Sequence, residues 1–249
     1  GTVNAALDFI GRFTVAVPKA LAAPHSVDWR SMPRLIQDIG ADGLAVTSAA
    51  NLLIGLIIGF LGVSQLGRFG AISYVPELVV VAQLRELGPL VTAIVVAGRS
   101  GAGLASEIAT MKVSEEIDAL RTMGIGPLRF LVFPRILALV LVMPILTLIG
   151  DLVGILGGVL VGVVNLDLTL TAYVNQTVRA LDAWDVFQGV IKAIAFGTAI
   201  GFVSCAHGLA TTGGAEGVGR RTTAAVVASL FALILIDAAF TLTFHELGL

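Results

Sequence analysis

The sequence predicts an all-α polytopic membrane protein with about five transmembrane helices. Three observations predict it: 57% of the 249 residues are hydrophobic, only 13% are charged, and the apolar residues gather in long unbroken runs. A soluble domain is nearer ~45–50% apolar and ~25% charged. A soluble fold of this composition would lack the polar residues to cover its surface. The mean hydropathy of +0.97 agrees. A net charge of −2 leaves no basic footprint for nucleic acid. The single cysteine, Cys205, lies in an apolar run and reads as a small packing residue.

A membrane helix needs about 20 largely apolar residues. The first such run covers residues 43–66. The second, 78–109, carries Arg85, Glu86 and Arg99. The third, 130–164, contains Pro134, Pro144 and Asp151. The fourth and fifth cover 186–210 and 222–247. The second and third exceed one straight span, which predicts tilt, a kink or continuation beyond the bilayer. Pro144 and the nearby glycines predict a bend in the third.

Charge sets the orientation. Arg12, Lys19, Arg30 and Arg34 precede the first run; Lys112, Arg121, Arg129 and Arg135 follow the second or open the third; Arg220 and Arg221 follow the fourth. The opposite side receives only Arg68 and Arg179, so the balance is ten against two. The positive-inside rule then places the N-terminus in the cytoplasm and the C-terminus outside, and five spans satisfy that parity.

Residues 1–42 form a segment of their own, ahead of a transmembrane domain at 43–249. Leu7, Ile10, Phe13, Val17 and Leu21 recur near helical spacing with Asp8, Arg12 and Lys19 between them. This predicts an amphipathic helix in the cytoplasmic interface; a soluble helix capping the spans is the plainer alternative. No compact apolar core with a small-residue cleavage site is seen there, so no signal peptide is expected.

Small residues recur at four-residue steps: Gly55 and Gly59; Gly150, Gly154, Gly158 and Gly162; Gly197 and Gly201. Such spacing lets helices approach closely in lipid. Packing within one chain is favoured over a dimer seam.

Arg85, Glu86, Arg99, Lys192 and Asp237 fall within apolar stretches. An ionisable group at the bilayer centre costs ~2.5–3.5 kcal/mol on insertion scales, so each needs a partner or a wet cavity. Arg85 and Glu86 are adjacent and cannot share a helix face. Each requires its own partner, and Lys192 and Asp237 are available. Either a polar path or a structural ion-pair network meets these needs.

The connection between the second and third runs predicts a short helix over 114–124. Ser114 is a good N-cap, Glu115, Glu116 and Asp118 suit the first turn, and Gly124 followed by Pro127 suits the end. Ile117, Leu120 and Met123 share one face. With no obvious partner in its own chain, that face suits a groove on another protein. The acids argue against an anionic membrane surface.

Some chemistry is absent. There is no phosphate-binding G-x-x-x-x-G-K-[ST] loop, and three scattered histidines with one cysteine make no metal site. Gly98-Arg99-Ser100-Gly101 fits G-x-S-G and His207 lies in a later run, the pattern of an intramembrane serine protease. Four-residue patterns arise readily in glycine-rich helices, and Arg99 beside the serine is unusual for such a site.

One stretch is more specific. Arg85-Glu86-Leu87-Gly88-Pro89-Leu90, Ala97-Gly98-Arg99-Ser100-Gly101 and Ala105-Ser106-Glu107-Ile108 closely resemble the MlaE/YrbE permease family. Glu115-Glu116-Ile117-Asp118-Ala119-Leu120, Met123-Gly124 and Phe133-Pro134-Arg135 belong to the same signature. The resemblance covers roughly residues 40–247. It implies the membrane subunit of an ABC transporter that moves phospholipids or related lipids between the inner and outer bacterial membranes. It implies a homodimer, cytoplasmic ATPase subunits that bind the ATP and Mg, a periplasmic MCE-domain protein and, in some assemblies, a small STAS-like subunit. This chain itself would bind no cofactor and do no bond chemistry. Carried over by position, Glu115, Glu116, Ile117, Asp118, Leu120 and Met123 would form the coupling helix that docks on the ATPase. Arg85, Glu86, Arg99, Lys192, Arg221 and Asp237 would form an intramembrane charge network. Leu66, Phe69 and Leu78 would line a lipid cavity formed at the dimer interface by the end of the first span and the start of the second. The competing expectation is an ion- or proton-coupled carrier that uses the intramembrane charges without an ATPase.

Overall fold

The computed structural model describes residues 27–165 and 169–247, together with Gly11. The predicted amphipathic helix at the N-terminus lies outside these residues, apart from Gly11. The regular structure among the described residues is helical. Five helical segments are long and apolar enough to cross a membrane: Trp29–Arg68, Ile72–Val113, Leu128–Val164, Ala183–Leu209 and Gly214–Glu246. Each coincides with one predicted run and most extend past it. The largest extension is at the start, where helix α1 (Met32–Arg68) begins ahead of Gly43. Gln37, Asp38 and Asp42 do not stop it, because propagation of a nucleated helix tolerates polar residues.

The second span is not one uniform helix. It consists of α2 (Val75–Ala82), α3 (Gly88–Val96) and α4 (Ala102–Val113), joined by π-helical turns at Gln83–Leu87 and Ala97–Gly101. A third π turn, Leu128–Val132, leads into α6 (Phe133–Asn165), after the short α5 (Glu116–Thr122). Each π turn holds a charged side chain: Arg85 and Glu86, Arg99, then Arg129. Single π turns inside helices re-aim the residues they carry. Helix α6 continues through Pro144 without interruption. Helix α7 (Leu170–Ala180) was not predicted; α8 (Ala183–Leu209) and α9 (Gly214–Glu246) complete the chain.

The chain divides into two compact units. The first comprises the described parts of Gly1–Ile39 with Val96–Val142 and Gly197–Leu235; the second comprises Gly40–Val95, the described parts of Met143–Phe196, and Ile236–Leu249. The first has a core of Ile108, Ile117, Leu131, Val132, Ile136 and Cys205, so the cysteine does act as a packing residue. In the second, α1 and α6 touch backbone to backbone. A Cβ on Gly55 would sit 1.8 Å from the Gly154 carbonyl oxygen, so only glycine fits there. Close approach of this kind is what small residues permit in lipid, where dispersion and not hydrophobicity joins helices. The glycine steps at 55 and 154 therefore serve packing within one chain.

Candidate functional site: a buried lysine and a seated loop helix

In the second unit the spans close around one cation. Lys192, on α8, is fully buried. Its Nζ donates to Glu86 Oε2 at 2.7 Å and to Thr241 Oγ1 at 3.2 Å. Asp237 Oδ1 lies 3.0 Å away, a charge pair without hydrogen-bond alignment. The Thr241 hydroxyl lies 3.1 Å from Glu86 Oε1 and 2.9 Å from the Asp237 carbonyl oxygen. Two carboxylates thus share one ammonium. Glu86 is the open edge, with 38% of its side chain exposed. The sequence offers Lys192 and Asp237 as partners to both Arg85 and Glu86; in the structure Lys192 meets Glu86, and Asp237 faces Lys192 instead of Arg85.

Its neighbour in the same π turn, Arg85, points elsewhere, as adjacency requires. Arg85 Nε donates to Asp185 Oδ1 at 2.5 Å, and the Asp185 side chain is 4% exposed. The sequence reading missed Asp185, which lies one residue ahead of the fourth apolar run. It also missed a neutral chain beside the cluster. Gln83 Nε2 donates to Asn51 Oδ1 at 2.7 Å, and Asn51 Nδ2 donates to Thr92 Oγ1 at 3.0 Å and to the Thr47 carbonyl at 2.9 Å. All four side chains are buried. Buried amides need such partners, and in a membrane they fix helix register. Arg99 and Arg221 belong to the first unit.

The first unit holds the loop helix. It spans Glu116–Thr122, shorter than the predicted 114–124. Ser114 does not cap it. Its hydroxyl hydrogen-bonds to Glu116 and to the Thr110 carbonyl, and Glu115 takes the cap position in the left-handed region at φ 62°. The far end closes as predicted. Gly124 adopts φ 77°, its N–H donates to the Arg121 carbonyl and the Ile125 N–H donates to the Leu120 carbonyl. This paired closure suits a glycine at C′. Lys112 Nζ reaches Asp118 Oδ2 at 2.8 Å, and Arg121 Nη1 reaches Asp118 Oδ1 at 2.9 Å. The hydrogen bond from Lys112, then the two positive charges, hold the Asp118 carboxyl below the usual carboxylate range against a weaker desolvation effect.

One expectation about this helix is corrected. Its apolar face does have a partner in its own chain. Ile117 is fully buried against Ile108, Leu131, Val132, Ile136 and Cys205, and Leu120 is half-buried on the same cluster. Burying an isoleucine contributes about 1.5–3 kcal/mol. What remains outward is Glu115, Glu116, Arg121 and Met123, the last 64% exposed. Behind the helix, Arg135 is anchored by Glu107 Oε1 at 2.8 Å and by the Leu131 carbonyl at 2.8 Å.

The candidate lipid-cavity residues stand around the end of the first span and the start of the second. Leu66 packs beside Val75, Val79 and Tyr173. Phe69 and Leu78 are exposed, at 82% and 42%. A cavity of about 350 Å³ lies in the first unit, lined by Leu35, Asp38, Ile39, Arg99, Ser100, Gly103, Leu104 and Glu107. No hydrogen bond joins Ser100 to His207 among the described residues, so the protease pattern lacks its nucleophile–base pair.

The family model described as Permease MlaE matches residues 32–243. A probable ABC transporter permease of Rickettsia felis is 42% identical over 208 residues, covering 84% of this chain and 80% of that protein. A probable ABC transporter permease of Synechocystis is 36% identical, covering 79% and 75%. The chloroplastic protein TRIGALACTOSYLDIACYLGLYCEROL 1 of Arabidopsis thaliana is 34% identical, covering 85% of this chain and 60% of that one.

Proposed function

The chain belongs to the MlaE permease family, and from that premise we propose that it is the membrane subunit of an MCE-type ABC transporter that moves phospholipids or related lipids between the inner and outer membranes. A permease subunit of this kind performs no bond chemistry; a separate ATPase subunit supplies the energy. The observation that carries the reading is the seated loop helix. Ile117 ties Glu116–Thr122 to the core of its unit, while Glu115, Glu116 and Met123 stay outward. A push on the outward face therefore reaches the spans through packed side chains instead of bending a loose loop. This is the geometry a motor subunit needs.

The remaining assignments follow the same reading. The excess of basic residues on one side supports an inner-membrane orientation with the loop helix and the N-terminus toward the cytoplasm and the C-terminus toward the periplasm. A second copy of the chain suits the apolar faces of α1 and α9, where Leu53, Ile57, Phe60, Phe231, Ile234 and Leu235 are all more than half exposed. A periplasmic MCE-domain protein and, in some assemblies, a STAS-like subunit complete the complex. Leu66, Phe69 and Leu78 stand nearest the mouth of the lipid path, and the Lys192 cluster acts within that path.

The test is reconstitution with the co-purified ATPase, with bound and transferred lipids read by mass spectrometry. ATP-dependent lipid movement, lost in Asp237→Asn while the protein still folds, is the expected result. Movement that follows an ion or proton gradient without ATPase would favour the carrier reading, which the charges around Lys192 also fit. Normal lipid movement in Asp237→Asn would remove the cluster from the mechanism.

A further inference from the structure

Helix α7 is not a span, yet it is fastened to two of them. Four residues separate it from the end of α6, and Leu181 and Asp182 alone separate it from α8. An extended chain covers at most ~3.6 Å per residue, so both ends stay close to the ends of the third and fourth spans. It is also held from the side. The Tyr173 ring packs so tightly on Gly162 of α6 that a Cβ there would fall 2.1 Å from Cε2. Tyr173 also packs with Val75 and Val79 of α2. Burial lifts the Tyr173 phenol to about 12, so it stays neutral at any physiological pH. The helix thus sits level with the last turn of the third span and the first turn of the second, not above them.

The faces of α7 differ in kind. Tyr173 and Thr177 are buried against the protein. Directly beside them, Leu170, Val174, Val178 and Leu181 form a stripe with exposures of 54%, 40%, 59% and 45%. Opposite, Thr171, Asn175 and Arg179 are exposed at four-residue steps. The apolar half of the helix is therefore wider than the part its own chain covers. The uncovered part contains only leucine and valine, which are poor anchors for a protein partner compared with Trp, Tyr or Arg. Leu160 and Val164, at the end of the third span, are exposed as well. Trp184 and Phe187, stacked at 5.2 Å at the start of α8, stand where aromatic residues favour the membrane–water boundary.

We propose that α7 is an interfacial helix that lies in the lipid headgroup layer, with Leu170, Val174, Val178 and Leu181 in the acyl region and Thr171, Asn175 and Arg179 toward water and phosphate. Tyr173 seated on Gly162 is the peg that holds it to the spans. The helix sets the depth at which this side of the protein rides in its leaflet, whatever the protein transports.

Spin labels test this directly. Val174→Cys, Val178→Cys, Asn175→Cys and Arg179→Cys, each in a Cys205→Ala background, are labelled in the full chain with its co-purified partners. The complex is placed in vesicles of phosphatidylethanolamine and phosphatidylglycerol. The ratio of oxygen to water-soluble nickel accessibility should be at least about fivefold higher at 174 and 178 than at 175 and 179. Labels at 174 and 178 shielded from both reagents would assign the stripe to a protein partner or a second copy and overturn the proposal. Labels open to nickel at all four positions would overturn it too. A phospholipid with a photoreactive acyl chain gives a variant-free check. It should mark the peptide that spans 170–181 in the unsubstituted chain, and an unmarked peptide would count against the helix lying in lipid.

Discussion

The two units hold their functional elements by opposite means. In the second, Lys192 of α8 is kept by polar partners: Glu86 from the second span, and Asp237 and Thr241 from α9. In the first, α5 is kept by hydrocarbon: Ile117 and Leu120 pack with five other buried residues of the core. The charges around α5 are decoration by comparison, since Asp118 and Arg121 are half-exposed. The difference teaches where a charge earns a structural role. Inside a span an ion without partners is costly, so its partners are obligatory. Outside, water competes with every ion pair, and packing has to do the holding.

The comparison breaks most visibly at its centre. Lys192→Met removes the ammonium and leaves two carboxylates facing each other, and breaking a buried pair this way costs about 3–5 kcal/mol. Thermal unfolding in detergent should show that loss; an unchanged midpoint would mean the cluster is not structural. Ile117→Ala should cost somewhat less, about 2–4 kcal/mol from lost burial and the cavity left behind. Amide exchange should rise across Glu116–Thr122, and unaltered protection would show that something other than Ile117 seats the helix.

Met123→Asp should leave the chain's own stability unchanged, because that side chain is outward. Its effect belongs to the partner: the ATPase should no longer co-purify, and normal co-purification would end the docking assignment. Leu120→Asp is a poorer test, because Leu120 also touches the core beneath it.

Asp118→Asn should be the mildest. The folded carboxyl titrates below its ordinary value, so its stabilising contribution is present at neutral pH. That contribution is lost only as the pH falls through the lowered value. The asparagine variant should abolish the acid-dependent part of α5 amide exchange and change neutral-pH exchange by less than about threefold. A large effect at pH 7 would mean that the Lys112 and Arg121 ties matter more than packing.

The five spans were legible because runs of apolar residues are the direct chemical demand of a bilayer. The Lys192 partners were legible only in part: a span holds few charges, which singled out Lys192, Glu86 and Asp237, but neither Thr241 nor the approach of Asp237 to Lys192 could be read from the sequence. Asp185 escaped because it stands at a helix start, where an acid has a local explanation already. The π turns escaped because no residue type marks them; they arise from how α2, α3 and α4 must each face their neighbours. Periodicity identified the apolar face of α5 but carried no information on whether its own chain or another protein would cover it. Helix α7 was missed because its apolar residues are spread among polar ones, and it is too short to register as a span.

The arrangement at Lys192 carries one more consequence, in terms of access. An ammonium has three protons; two of these are donated, to Glu86 and Thr241, while Asp237 adds only charge. The lysine itself is fully buried, and the member of the cluster with an exposed side is Glu86. The way to the ammonium from outside therefore runs past Glu86, which is carried by a π turn in the second span, the span whose far end leads into the loop helix.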